Sequence, residues 1–299
     1  MKHGIVESVE EEFENADYRV AAAKGLFDMV AAGRNSLTVK ILANIDSATM
    51  GGALRLSAAA SSLDTRPIFV GVKTRKGVIE DSVYHRFGVP AVSLAGLKEI
   101  LCNRALNYVE KGGSVVYVDG EKMRRRREAL GLSLGNVSMS VGVSRKSIAE
   151  YEKGGRTRPE IAERIENVLG IPVTMNKSHS ENYNNRHERL YGLEAFVDRK
   201  LKKLGFDTTP ISGSVFNIAA RHDDVILANV SESGRNFRRN AVMLHGIAEV
   251  TGKRAVLVSA KSSKNSLEGV PVITREELND VDGIENFEDI VDEKLSADL

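Results

Sequence analysis

The chain has 299 residues, of which 42% are hydrophobic and 28% charged, and its formal net charge is +1. Those values describe a globular chain with room for two domains and exclude a polycation that coats nucleic acid along its whole surface. A single cysteine, Cys102, excludes an internal disulfide framework and a cysteine-rich zinc site.

The first stretch, MKHGIVESVEEEFENADY, is acidic and lacks an apolar signal core. No apolar run approaches the roughly 18 residues of a membrane span, so the expected compartment is the cytoplasm. Residues 1–118 are expected to form an α/β module, read coarsely as helix, strand, strand, helix, strand, helix. LTVKILANI is β-branched and apolar and suits a strand buried on both faces. ALRLSAAASSL reads as a crossover helix and PIFVGV as the returning parallel strand, with a right-handed connection. A glycine turn in VEKGGSVVYVDGEK marks the boundary of this module.

Residues 119–173 carry a basic island. Between Glu121 and Arg158 ten bases face four acids, a local charge of +6 in a chain that is otherwise net acidic. A first helix is predicted from Glu121 to Leu130, with Met123, Arg127 and Leu130 on one face and Gly131 ending it. Ser133 is placed to cap a second helix, Leu134 to Val141, with Val137 and Val141 inward. Gly142 makes a tight turn. Ser144 caps a third helix that runs to Lys153, with Val143, Ile148 and Tyr151 inward. A fourth helix follows Pro159, with Ile161, Ile165, Val168 and Leu169 at core spacing. The expectation is an all-α bundle.

Residues 174–188 are polar, rich in Asn, Ser and His, and read as a linker. Residues 189–299 read as a second α/β module. The first module is echoed here three times in the same order. FDMVAA at Phe27 matches FNIAAR at Phe216, RPIFVGVKTRK at Arg66 matches RAVLVSAKSSK at Arg254, and GVPAVSLAGLKEI at Gly88 matches GVPVITREELND at Gly269. One module present twice accounts for this. The register between the copies is open. The two ILAN strings and the downstream lysines demand different alignments.

MRRRREALGLSLGNVSMSVGVSRKSIAEYEKG resembles the helix-turn-helix of the Cro/phage-repressor, or XRE, family over residues 120–173. The resemblance implies a helix opening at Ser144 that reads the DNA major groove, with Arg145, Lys146 and Ser147 facing base edges and Glu150 one turn later. It also implies a structural ion pair between Arg127 and Glu152. Arg124, Arg125, Arg156 and Arg158 suit phosphates, which position a protein without specifying sequence, and Lys153 is counted with them as a DNA-binding residue. The family often opens its second helix with a polar residue, commonly Gln, that contacts phosphate. Leu134 and Gly135 stand there, so Ser133, Asn136 or backbone amides are left to supply that contact.

Both flanking modules resemble restriction-endonuclease-like nucleases. That family requires an Asp, then an acid, one spacer and a Lys on the next strand to hold a divalent metal. Asp28 and Lys40 match, but Thr38 stands where the acid belongs. Asp46, six residues on, is about 20 Å away along a strand. In the second module Asn217 replaces the Asp, and VILAN supplies neither acid nor Lys. Both modules are therefore expected to be catalytically inactive, with Asp28 and Lys40 forming an ion pair between adjacent strands. The six histidines, at 3, 85, 179, 187, 222 and 245, lack metal-ligand spacing, and KGG and AKSSKNS lack a P-loop pattern, so no metal or cofactor is expected.

The layout as a whole resembles a group of archaeal proteins assigned as helix-turn-helix transcriptional regulators. The reading that follows is a sequence-specific regulator that binds double-stranded DNA as a homodimer, with the flanking modules serving dimerisation or an unknown effector. Two alternatives remain, a metal-dependent nuclease using Asp28 and Lys40, and a protein-interaction scaffold.

Overall fold

The computed structural model describes residues 2–79, 82–102, 104, 107–110, 113–175, 189–232 and 236–296. Most of the expected linker, from 176 to 188, and Lys111 and Gly112 of the expected glycine turn therefore lie outside the described residues. Two compact units form. One contains 1–43, 47–69 and 182–299, and the other 44–46 and 70–181.

In the first unit, α1 (Lys2–Asn15) buries Val9 and Phe13. Three antiparallel strands follow, β1 (Arg19–Ala22), β2 (Met29–Ala32) and β3 (Leu37–Asn44), with Val20 opposite Ala31 and Val30 opposite Thr38. β1, with four residues too few to show a pattern, is an addition to the expected order of helix, strand, strand, helix, strand, helix. Leu37, Thr38, Val39 and Ile41 are all buried, so β3 lacks in–out alternation, as a strand covered on both faces should. A 3-10 turn (Ile45–Ser47) leads to α2 (Met50–Ser62), which Thr49 caps by accepting from the Gly52 amide at 3.1 Å. β4 (Arg66–Thr74) runs from the first unit into the second.

The second unit continues through β5 (Gly77–Val78), β6 (Ser82–Arg86), β7 (Val89–Val92), α3 (Leu94–Leu101), β8 (Asn107–Glu110) and β9 (Gly113–Val118). Their sheet order is β4-β7-β6-β8-β9, with β5 paired to β4. Asp46 belongs to this unit and accepts hydrogen bonds from the Arg75 amide and from Arg86 Nε, each at 2.7 Å. Those contacts, the Arg75 amide foremost, hold its carboxyl below the usual range. Its role is to fasten the hairpin.

The basic island forms α4 (Gly120–Ala129), α5 (Leu134–Val141), α6 (Arg145–Tyr151), β10 (Arg156–Thr157), α7 (Pro159–Leu169) and β11 (Thr174–Met175). The all-α expectation needs correcting, because β10 and β11 both pair antiparallel with β9, Arg156 opposite Tyr117 and Thr174 opposite Val118. Two-residue strands carry no periodicity, so only the fold reveals them. Met123, Val137, Val141, Ile148, Ile165 and Leu169 are fully buried together with Val118 and Val173. Leu130 departs from expectation. The helix ends at Ala129, Leu130 is its cap, and its side chain is 42% exposed.

The first unit resumes with α8 (Gly192–Leu204), β12 (Asp207–Pro210), β13 (Ile218–Arg221), β14 (Val225–Ser231), α9 (Phe237–Thr251), β15 (Arg254–Ser259), β16 (Ser266–Leu267), β17 (Val270–Thr274), α10 (Arg275–Asp280) and α11 (Ile284–Ser296). The strands order as β12-β13-β14-β15-β17-β16. β14–β15 and β15–β17 are parallel, as the crossover argument expects.

The element order α8-β12-β13-β14-α9-β15 is that of α1-β1-β2-β3-α2-β4. Met29 lies opposite Val39 and Ile218 opposite Ala228, and both members of the second pair stand 189 positions after those of the first. That register sets aside the match between the two ILAN strings. The two sets of strands touch within the unit. The Phe27 and Phe216 rings lie 6.3 Å apart between centroids, and the Leu26 amide donates to the Gly213 carbonyl at 2.7 Å. Gly25 has φ +113, and a Cβ there would lie 2.4 Å from the Gly213 oxygen, so the approach requires glycine. Asp64 pairs with Arg221 at 3.0 Å and with Lys253.

Candidate nucleic-acid interface

Local capping chemistry sets the frame of the candidate interface. Ser133 accepts from the Asn136 amide at 3.1 Å, and the Asn136 side chain accepts in return from the Ser133 amide at 2.9 Å. This is a reciprocal capping box at the start of α5. The two residues expected to reach phosphate thus bind each other. Gly142 ends α5 in the left-handed conformation, φ +75, which a β-carbon disfavours. Two residues later Ser144 caps α6 by accepting from the Ser147 amide at 3.0 Å, and its hydroxyl also meets the Ser147 hydroxyl at 2.9 Å.

α6 ends at Tyr151 with Glu152 as its cap, two residues before the expected Lys153. Ile148 is its buried anchor, and Val143 and Tyr151 pack half-buried at the edge of the core. Glu152 meets Arg127 from α4. Nε lies 2.5 Å from Oε1 and Nη2 3.1 Å from Oε2, a two-pronged pair with side chains 12% and 8% exposed. The bond to Glu152 raises the Arg127 pKa further above its ordinary value. Arg127 Nη1 also donates to the Leu132 carbonyl at 2.9 Å. One guanidinium therefore joins α4, the loop before α5 and the end of α6.

The remaining cations divide by what they touch. Arg124, Arg145, Lys146 and Arg158 are exposed and form no ion pair among the described residues. Arg125 pairs with Glu121 one helical turn back, and Lys153 with Glu150 at 3.1 Å. Arg156 lies exposed on β10. Arg158 is the N-cap residue of α7 and makes no side-chain cap.

Two features escape sequence reasoning. The Arg145 guanidinium lies over Gly135, where a Cβ would come within 2.8 Å of a terminal nitrogen and 3.0 Å of Nε. Arg126, given no role from sequence, donates to the Leu169 carbonyl at 2.9 Å and closes the C-terminus of α7. Both are contacts across space, with no signature in spacing.

In the other unit, Asp28 Oδ2 accepts from the Ile41 amide at 2.8 Å, and its carboxylate lies 3.4 Å from Lys40 Nζ. Lys40 Nζ also donates to the Gly25 carbonyl at 2.6 Å. Thr38, at the position of the missing acid, is fully buried, with its hydroxyl 2.5 Å from that of Thr65. Among the described residues, no group of three His, Cys, Asp or Glu side chains could hold a metal ion. No helix among them is long and apolar enough to cross a membrane.

Residues 2–106 match the PD-(D/E)XK superfamily domain, and residues 123–175 match the helix-turn-helix family. Several archaeal relatives carry the name "Putative HTH-type transcriptional regulatory protein". The one from Thermococcus gammatolerans is 30% identical over 285 residues, which is 92% of this chain and 90% of that protein. The one from Pyrococcus horikoshii is 32% identical over 86% of this chain and 87% of its own length. A relative from Methanocaldococcus jannaschii is 27% identical over 87% and 86%. No solved structure matches the chain. With nearly full-length similarity at 30% identity and a helix-turn-helix match over the basic island, the chain belongs to this archaeal family of HTH-type transcriptional regulatory proteins.

Proposed function

We propose that the protein is a transcriptional regulator that reads double-stranded DNA in the major groove with α6. The observation that carries this is the placement of Arg145 and Lys146 in the first turn of a helix that Ile148 and the Arg127–Glu152 pair hold rigidly. Both cations are exposed and free of carboxylates among the described residues. Arg145, Lys146 and Ser147 meet base edges, where a good contact discriminates by about 1–3 kcal/mol. Glu150 follows one turn later. Arg124, Arg125, Lys153, Arg156 and Arg158 meet phosphates, joined by Ser133, Asn136 and Ser144 at the capped helix starts.

The division into residues 1–118, 119–173, 174–188 and 189–299 is our reading of the functional parts. The two α/β modules are degenerate copies of one nuclease-like ancestor. The shared strand register and the contact between Phe27 and Phe216 support their pairing within one chain. Neither copy cleaves, on this reading, because Asp28 is engaged by Lys40 and the Ile41 amide, and the second acid is the buried Thr38. Each chain supplies one recognition helix, so a homodimer is needed to place two of them about 34 Å apart on successive major-groove faces. A cytoplasmic location fits these partners.

Capture of sheared genomic DNA by the purified full-length protein tests the proposal. Recovery of a shared, two-fold-related sequence is expected. Recovery that scales only with fragment length, at a stated salt concentration, would count against sequence reading.

A further inference from the structure

The second α/β module holds a polar cavity at the place where the first holds its Asp28–Lys40 pair. Asn217 takes the position of Asp28. Its amide donates to the Ala228 carbonyl at 3.0 Å, as Asp28 donates to Val39 at 2.8 Å, and its Oδ1 accepts from the Val230 amide at 2.8 Å, as Asp28 accepts from Ile41. By the same register Asn229 stands where Lys40 stands. Lys40 reaches across to the Gly25 carbonyl. Asn229 is shorter, donates to the Val215 carbonyl at 2.6 Å, and leaves its buried Oδ1 without a partner.

The adjoining loop differs as well. Between Gly25 and Phe27 the first module has Leu26 alone, whereas between Gly213 and Phe216 the second has Ser214 and Val215. The Ser214 hydroxyl is buried and unpartnered. Asn217 and the added Ser214 line a cavity of about 370 Å³, within the usual size range of small-molecule sites.

The lining carries one cation and one anion. Arg189 is exposed and makes no ion pair among the described residues. Glu194, in the first turn of α8, accepts from Asn217 Nδ2 at 2.6 Å. Ser212, Ser214 and Leu190 complete the wall. With formal charges that cancel, a phosphate ligand meets the Glu194 carboxylate and a bare cation meets Arg189. A neutral ligand with separated charges satisfies both.

We propose that this cavity binds a free α-amino acid, with the ligand carboxylate at Arg189, its ammonium at Glu194, a hydrogen bond to Ser214 and its side chain against Leu190. Binding at this site does not depend on the DNA-reading proposal, and DNA capture is scored separately, so either can fail alone.

The test is thermal unfolding of the full-length protein with each of the twenty common amino acids, followed by calorimetric titration of those that act. At least one amino acid at millimolar concentration should raise Tm by about 2 °C or more. Arg189→Gln and Glu194→Gln should each keep the ligand-free Tm while weakening binding about tenfold or more. Absence of any shift across the panel would overturn the proposal. So would a shift that survives both substitutions, or one produced only by magnesium or inorganic phosphate.

Discussion

The guanidinium of Arg145 lies over Gly135, with 2.8 Å between its terminal nitrogen and the place where a β-carbon would stand. The first residue of α6 thus rests on the first turn of α5, and the absence of a side chain at 135 makes the room. The resemblance to the XRE helix-turn-helix implies a polar residue at the opening of that helix. Here an arginine from the next helix stands beside it.

Gly135→Ala therefore separates folding from recognition. Alanine in a helix is favoured over glycine by about 0.5–1 kcal/mol, and only the movable end of Arg145 must give way. Urea denaturation should show unchanged or higher stability. The base preference in a binding-site selection should shift in the same direction as for Arg145→Ala. An unchanged preference in Gly135→Ala would mean that the resting position of Arg145 has no part in recognition.

Arg127 and Glu152 are a half-buried, two-pronged pair, and removing one partner weakens the anchoring of the other. Arg127→Met or Glu152→Gln should cost about 1–3 kcal/mol in denaturant unfolding. The double substitution should cost less than the sum of the two. Additive losses would indicate that the pair is not coupled.

Asp64 joins the two α/β modules through Arg221 and Lys253. Burial opposes its ionisation, but the hydrogen bonds from Lys253 and Arg221 outweigh this and hold its pKa below the ordinary value. A depressed folded-state pKa gives stability that is full above about pH 4 and is lost as pH falls through the lower folded value. Asp64→Asn should lower Tm at pH 7, and its gap from the native chain should narrow below about pH 4. A gap that stays constant down to pH 2 would contradict this.

The nuclease-like centre should be silent. No magnesium-dependent cleavage of DNA is expected, and Asp28→Ala should act on stability instead, by about 1–3 kcal/mol, because it removes the acceptor of the Ile41 amide and the carboxylate beside Lys40. Cleavage that disappears in Asp28→Ala would restore the catalytic reading.

The legible parts of this protein are local. Ser133, Gly142 and Ser144 announce caps and a turn because capping depends on neighbours three residues away, and Ile148 and Met123 follow helical spacing into the core. Leu130 misled because its periodic position fell on the cap, outside the helix. β10 and β11 have two residues each and no pattern to read, and β1 is scarcely longer. The contact of Phe27 with Phe216, the seat of Arg145 on Gly135 and the cavity beside Asn217 join residues distant in sequence or depend on side chains that are missing. Those features arise only when the chain is folded.

The proposed division of labour has α6 reading bases while α4 holds phosphates. The most direct measurement compares Lys146→Ala and Arg124→Ala against a selected DNA site and its single-base variants, at several salt concentrations. Lys146→Ala should flatten the differences among sequences at its contact by about 1–3 kcal/mol, whereas Arg124→Ala should weaken all sequences alike and reduce the salt slope by about 1. If the two substitutions changed affinity in the same way for every sequence, α6 would not be the element that reads DNA.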